Sequence, residues 1–86
     1  MNMITVTTKE IDAYRTPDLA LAAVILLSFS LEGIDRQNPR KAQFLFKQSK
    51  ELELLVEDYW RGEVKVEPQA YFGALRTIKA RLYNEE

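Results

Sequence analysis

Residues 29–47, FSLEGIDRQNPRKAQFLFK, decide how this chain folds. Ala42, Phe44 and Phe46 alternate with Gln43, Leu45 and Lys47. A period of two is what a strand with one buried face requires. Upstream, Phe29 and Leu31 alternate with Ser30 and Glu32 until Gly33 breaks the phase. A bulge at Gly33 would return Ile34 to the buried face, because one extra residue flips the side chains that follow. Gln37-Asn38-Pro39-Arg40 lies between the two runs, and Asn-Pro favours chain reversal. The segment therefore predicts an antiparallel β-hairpin with one aromatic face.

Moving toward the N-terminus, Thr16-Pro17-Asp18 carries helix-start signals. Thr16 is expected to cap by accepting from a backbone N–H of the first turn. Pro17 would lose nothing at the first helical position, and Asp18 would complement the positive end of the dipole. The run over residues 19–27, LALAAVILL, has no polar face. A helix apolar all round needs cover on more than one side. Either the rest of the domain wraps it, or part of it faces a partner. Residues 1–13 are expected to form an N-terminal extension or an edge strand, since Ile4 and Val6 alternate with Thr5 and Thr7.

Toward the C-terminus, Ser49 opens a helix in which Leu52, Leu55, Val56 and Tyr59 form an apolar stripe at i, i+3, i+4 and i+7. Trp60 borders the stripe, Leu54 lies on the opposite side, and Gly62 ends the helix. Val64 and Val66 alternate with Glu63, Lys65 and Glu67, which predicts a short third strand. Pro68 then starts a last helix, with Tyr71, Leu75, Ile78 and Leu82 along one face and Phe72 beside it. The predicted order is α-β-β-α-β-α. It implies a two-layer α+β domain over residues 14–86, with a hairpin and a short third strand packed against three helices.

An 86-residue chain has room for one core. It buries only roughly 60–65% of the surface that its unfolded form exposes. The 47% hydrophobic content is that of a folding sequence. With no cysteine, no disulfide supports the fold, which favours a reducing compartment. No signal-peptide pattern is read at the start, and the nine-residue apolar run falls short of the about 20 a membrane span needs. A cytoplasmic protein is expected.

Residue types narrow the chemistry further. Histidine and cysteine are both missing, which closes the nucleophilic triads and dyads built on them and the usual zinc sites. The three glycines, Gly33, Gly62 and Gly73, are isolated and form no phosphate loop. Glu53 and Glu57, one turn apart, could pair around a hard cation, although a solvated acidic helix face has the same spacing. No catalytic, cofactor-binding or metal-binding residue is therefore assigned, and no small-molecule substrate or membrane contact is evident.

Two kinds of surface remain. The hairpin tip carries Arg36, Arg40 and Lys41, and the adjoining RKAQFLF is loosely similar to the aromatic strand of an RNA-recognition motif without its glycines. The alternative is that both phenylalanines face the core and the cations solvate a turn. Arg76, Lys79 and Arg81 form a second basic group, in a place the helix dipole already favours. The other surface is apolar, comprising the 19–27 helix, Leu54 and Trp60, since exposed apolar patches mark partner sites. Formal net charge is −1, so the chain as a whole is not built to hold phosphates. The leading expectation is a non-enzymatic protein-interaction module, self-associating or with another protein. The alternative is a nucleic-acid-binding module that uses the hairpin tip.

The stretch YRTPDLALAA, the hairpin with FLF, and the VKVEP…YFGALRTIKARLY ending together resemble a small domain of unknown function found in phage and prokaryotic genomes. The resemblance covers residues 14–83, and its motifs are structural. It implies a phage or mobile-element accessory protein that acts by binding. It carries over no functional residue.

Overall fold

The computed structural model describes residues 13–38 and 40–84. The Ile4 and Val6 alternation lies outside them. Six elements follow in the order β1 (Ala13–Thr16), α1 (Leu19–Leu26), β2 (Leu31–Asp35), β3 (Gln43–Lys47), α2 (Lys50–Arg61) and α3 (Pro68–Tyr83). The domain is α+β, with a three-stranded antiparallel sheet of order β1-β3-β2 and three helices.

The β2–β3 hairpin forms as the alternation predicts, including its irregularity. Leu31 stands opposite Phe46 and Gly33 opposite Leu45, with a register shift between them, so Ile34 arrives opposite Phe44. The extra residue, Glu32, keeps Leu31 and Ile34 on the same side of the sheet as the two phenylalanines. Phe44 and Phe46 are buried against Leu21 and Ile25 of α1, Leu52 of α2 and Ile78 of α3. Burying each ring contributes about 1.5–3 kcal/mol. On the outer face Arg15 of β1 reaches across β3 to Asp35 of β2, with Nη1 2.6 Å from Oδ2.

The predicted order needs one correction. Val64 and Val66 do not form a strand; residues 63–67 are an unpaired connection between α2 and α3. The third strand is β1, which pairs Tyr14 with Phe46 and Thr16 with Phe44. β1 takes the side of β3 that the β2–β3 hairpin leaves open, the place where a third strand from residues 63–67 would have paired with β3. Val64 and Val66 instead border a hollow lined by Val24, Leu27, Leu55 and Ala70. Val64 is half-buried there and Val66 is exposed.

The start of α1 is also shifted. Asp18 caps it, its Oδ1 accepting from the Leu21 N–H at 3.1 Å. Thr16 is the last residue of β1, and its hydroxyl oxygen accepts from the Asp18 N–H at 3.1 Å. Pro17 consequently bridges strand and helix. The other ends match their sequence signals. Ser49 Oγ accepts from the Leu52 N–H to cap α2. Gly62 ends that helix at φ 74°, with Gly62 N–H donating to Tyr59 O and Glu63 N–H to Asp58 O. Glu67 caps α3 ahead of Pro68, its Oε1 accepting from the Ala70 N–H at 2.7 Å.

The apolar helix is covered by its own domain. Leu21, Ala22, Ala23, Val24 and Ile25 are all buried, with α3 and α2 packed on α1 and the sheet beneath it. Of its apolar run only Leu27, just past the last turn, is exposed. This outcome removes the case for a partner surface on α1. Among the described residues, no helix is long and apolar enough to cross a membrane.

Candidate functional site

The hairpin tip is shaped by its own side chains. Asp35 Oδ1 accepts from the Gln37 N–H at 2.9 Å, and Asn38 Oδ1 accepts from the Arg40 N–H at 3.0 Å. The Lys41 N–H donates to Asn38 O at 3.0 Å. Such Asx turns let the chain reverse while leaving the intervening long side chains outside. Hydrogen bonding from the Gln37 N–H, then from the Arg15 guanidinium, holds the Asp35 carboxyl below the usual carboxylate range.

Arg36 joins this tip to the far end of the chain. Its Nη1 donates to Leu82 O and its Nη2 to Arg81 O, both at 2.9 Å. The last carbonyls of a helix have no partner within it, and a cation there also meets the negative end of the dipole. Arg36 thus clamps the C-terminus of α3 against the hairpin, 45 residues away in the chain.

An open groove with a volume of 590 Å³ results. Pro17, Leu19, Phe44, Leu82 and Tyr83 give it apolar and aromatic walls, and Arg36, Arg40 and Lys41 line it with positive charge. No carboxylate lines it among the described residues. Arg36 also borders a neighbouring hollow of 240 Å³ with Ile34, Arg81 and Asn84. Cations of the hairpin and of the α3 terminus therefore share one surface, which the sequence alone left open. Arg40 and Lys41 are exposed, and neither is in an ion pair among the described residues.

The other candidate residues lie elsewhere. Leu54 and Trp60 are 54% and 64% exposed on α2. Six residues apart, they stand about 120° around the helix from each other, so they form no common patch. The Trp60 ring packs edge-on to Tyr59, with centroids 4.9 Å apart. Glu53 and Glu57 are exposed, and Glu57 lies 3.8 Å from Arg61. Among the described residues, no three acidic side chains converge to hold a metal ion.

Tyr14 and Tyr59 have phenols pushed above their usual range, first by burial and then by the Asp18 carboxylate, with Tyr71 adding to the effect on Tyr59. Both stay protonated near neutrality, which suits packing and hydrogen bonding and does not suit nucleophilic attack.

Residue-by-residue reading of the sequence missed Pro17, Leu19, Leu82 and Tyr83 as groove residues. Only Tyr83 carried a signal, as an aromatic one turn beyond Lys79 on the same helix.

The chain is a small α+β domain with a cation-lined groove between the hairpin tip and the end of α3. The chain belongs to a family described as a domain of unknown function (DUF5659), matched over residues 11–84. No curated protein matches the chain, and no solved structure does.

Proposed function

We propose that this domain is a non-enzymatic, cytoplasmic binding module that holds the phosphate backbone of a nucleic acid in the groove between the hairpin tip and the end of α3. The carrying observation is the convergence of Arg36, Arg40 and Lys41 beside Tyr83, in a groove free of carboxylates among the described residues. Phosphate contacts of this kind supply sequence-independent affinity. Binding is tested by fluorescence anisotropy with labelled DNA and RNA across a salt series. Affinity should fall steeply with salt, and the Arg40→Ala/Lys41→Ala double variant should reduce the slope by about 0.7–0.9 for each lost phosphate contact. No binding at low salt, or an unchanged slope in the double variant, would refute the proposal.

The protein-contact reading keeps one observation in its favour, the exposed Trp60 on α2. Tryptophan is enriched among interface hot spots. Under this reading the protein self-associates through Trp60, and Trp60→Ser lowers the mass seen by light scattering. A monomeric wild-type protein sinks the self-associating form.

A further inference from the structure

Resting on the nucleic-acid reading, we infer that one flank of α3 extends the groove into a track for an unpaired strand, with Phe72 and Tyr83 as stacking platforms and Arg76 and Lys79 on the phosphates between them. At about 100° per residue, positions 72, 76, 79 and 83 fall within an arc of about 60°. All four side chains are exposed, Phe72 at 59% and Tyr83 at 74%.

This flank lies beside the stripe of Tyr71, Leu75, Ile78 and Leu82, of which Ile78 is in the core and Leu82 packs against it. Phe72 leans on the Tyr71 ring, with centroids 5.9 Å apart, and still keeps most of its surface in solvent. Arg81 sits on the other side of the helix, where it borders the hollow shared with Arg36 and Ile34. The helix dipole favours cations in the last turn. It does not explain Arg76, two turns earlier, or the aromatic residue at either end of the stripe.

Tyr83 lies in both features, ending the stripe and lining the groove with Arg40 and Lys41. The two are therefore continuous. Phe72 and Tyr83 are about 16 Å apart along the helix at 1.5 Å per residue, several times the about 3.4 Å rise per base of a B-form strand. The two rings would meet bases that are not adjacent, with phosphates passing the cations between them. Bases in a duplex are stacked on one another and offer no free face to a side chain, whereas single strands do. Two aromatic rings with two cations between them thus select an unpaired strand over a duplex. A duplex would keep only the phosphate contacts.

The test compares a labelled oligothymidylate, within the range of about 4–16 nucleotides typical of such sites, with a duplex of equal length and with polyglutamate. Phe72→Ala and Tyr83→Ala should each weaken oligothymidylate binding about tenfold and leave duplex binding within about twofold. Phe72→Trp should keep the wild-type affinity, because a ring remains. Circular dichroism should show all three variants folded, since neither side chain is in the core. If both alanine variants bind oligothymidylate as the wild type does, or lose duplex binding equally, the track is wrong. Polyglutamate binding as tight as oligothymidylate would overturn it too. Should the Arg40→Ala/Lys41→Ala variant still lose binding in those cases, the groove proposal survives and only the track falls. If the wild-type protein binds no nucleic acid at low salt, both fall.

Discussion

Replacing Arg36 with alanine should separate what the hairpin tip does for stability from what it does for binding. The guanidinium donates two hydrogen bonds of 2.9 Å to the terminal carbonyls of α3. A hydrogen bond from a charged donor contributes about 1.5–3 kcal/mol at best, but this pair is exposed to solvent. Water replaces much of what is lost there, as it does for exposed ion pairs. The dipole term of about 0.3–1 kcal/mol overlaps the same contact and is not added in full. The expected net loss is about 1 kcal/mol. For a domain this small the urea slope is about 1 kcal/mol per molar, so the unfolding midpoint should fall by about 1 M with no change of slope. Arg36→Lys keeps the charge and loses the planar fork, and about half the effect should remain. Lys41→Ala removes a neighbouring cation that makes no such contact, and its midpoint should stay within about 0.3 M of wild type. The reasoning is refuted if Arg36→Ala unfolds at the wild-type midpoint, or if Lys41→Ala is equally destabilised.

Two further outcomes follow from the backbone and the titrating groups. Gly62→Ala should cost about 1 kcal/mol, because φ of 74° is left-handed; a Cβ there meets nothing within 4 Å, so the loss is conformational, and urea unfolding that showed an equally stable variant would contradict it. Asp35 is held below its ordinary value in the folded state, so its contribution is full above the unfolded carboxylate value of about 4 and is lost as pH falls through the lower folded one. Asp35→Asn should therefore flatten the acid limb of a thermal-melt series against pH, and an unchanged limb would count against the contacts from Gln37 and Arg15.

The hairpin, the Gly33 irregularity and the three helices were legible because each rests on local spacing. Phe44 and Phe46 must face the same way in any strand, and Leu52, Leu55, Val56 and Tyr59 must share a face in any helix. The alternation at Val64 and Val66 was just as local and led to a strand that does not exist. Pairing depends on which segment the chain brings alongside β3, and there the four residues of β1 pair, a pattern too short to stand out. The same limit applied to the cap. Thr16 and Asp18 are both capping residues by type, and the choice between them depends on β1 claiming Thr16.

The candidate site divides along the same line. Arg36, Arg40 and Lys41 could be named from the turn they flank, since turns expose long polar side chains. Their meeting with Tyr83, Leu82 and Leu19 could not, because it depends on α3 returning to the hairpin and on Arg36 clamping its last carbonyls. Local spacing and residue type were enough for the three helices, the hairpin and their inward faces, and the missing cysteine and histidine exclude from these 86 residues the nucleophilic and zinc chemistry built on them. Only packing shows that α1 is wrapped by its own domain, that β1 completes the sheet, and that Arg81 of α3 borders the same hollow as Arg36 of the hairpin. Periodicity fixes which way a side chain points from its own backbone. Which distant segment it meets is set by the packing of the whole core.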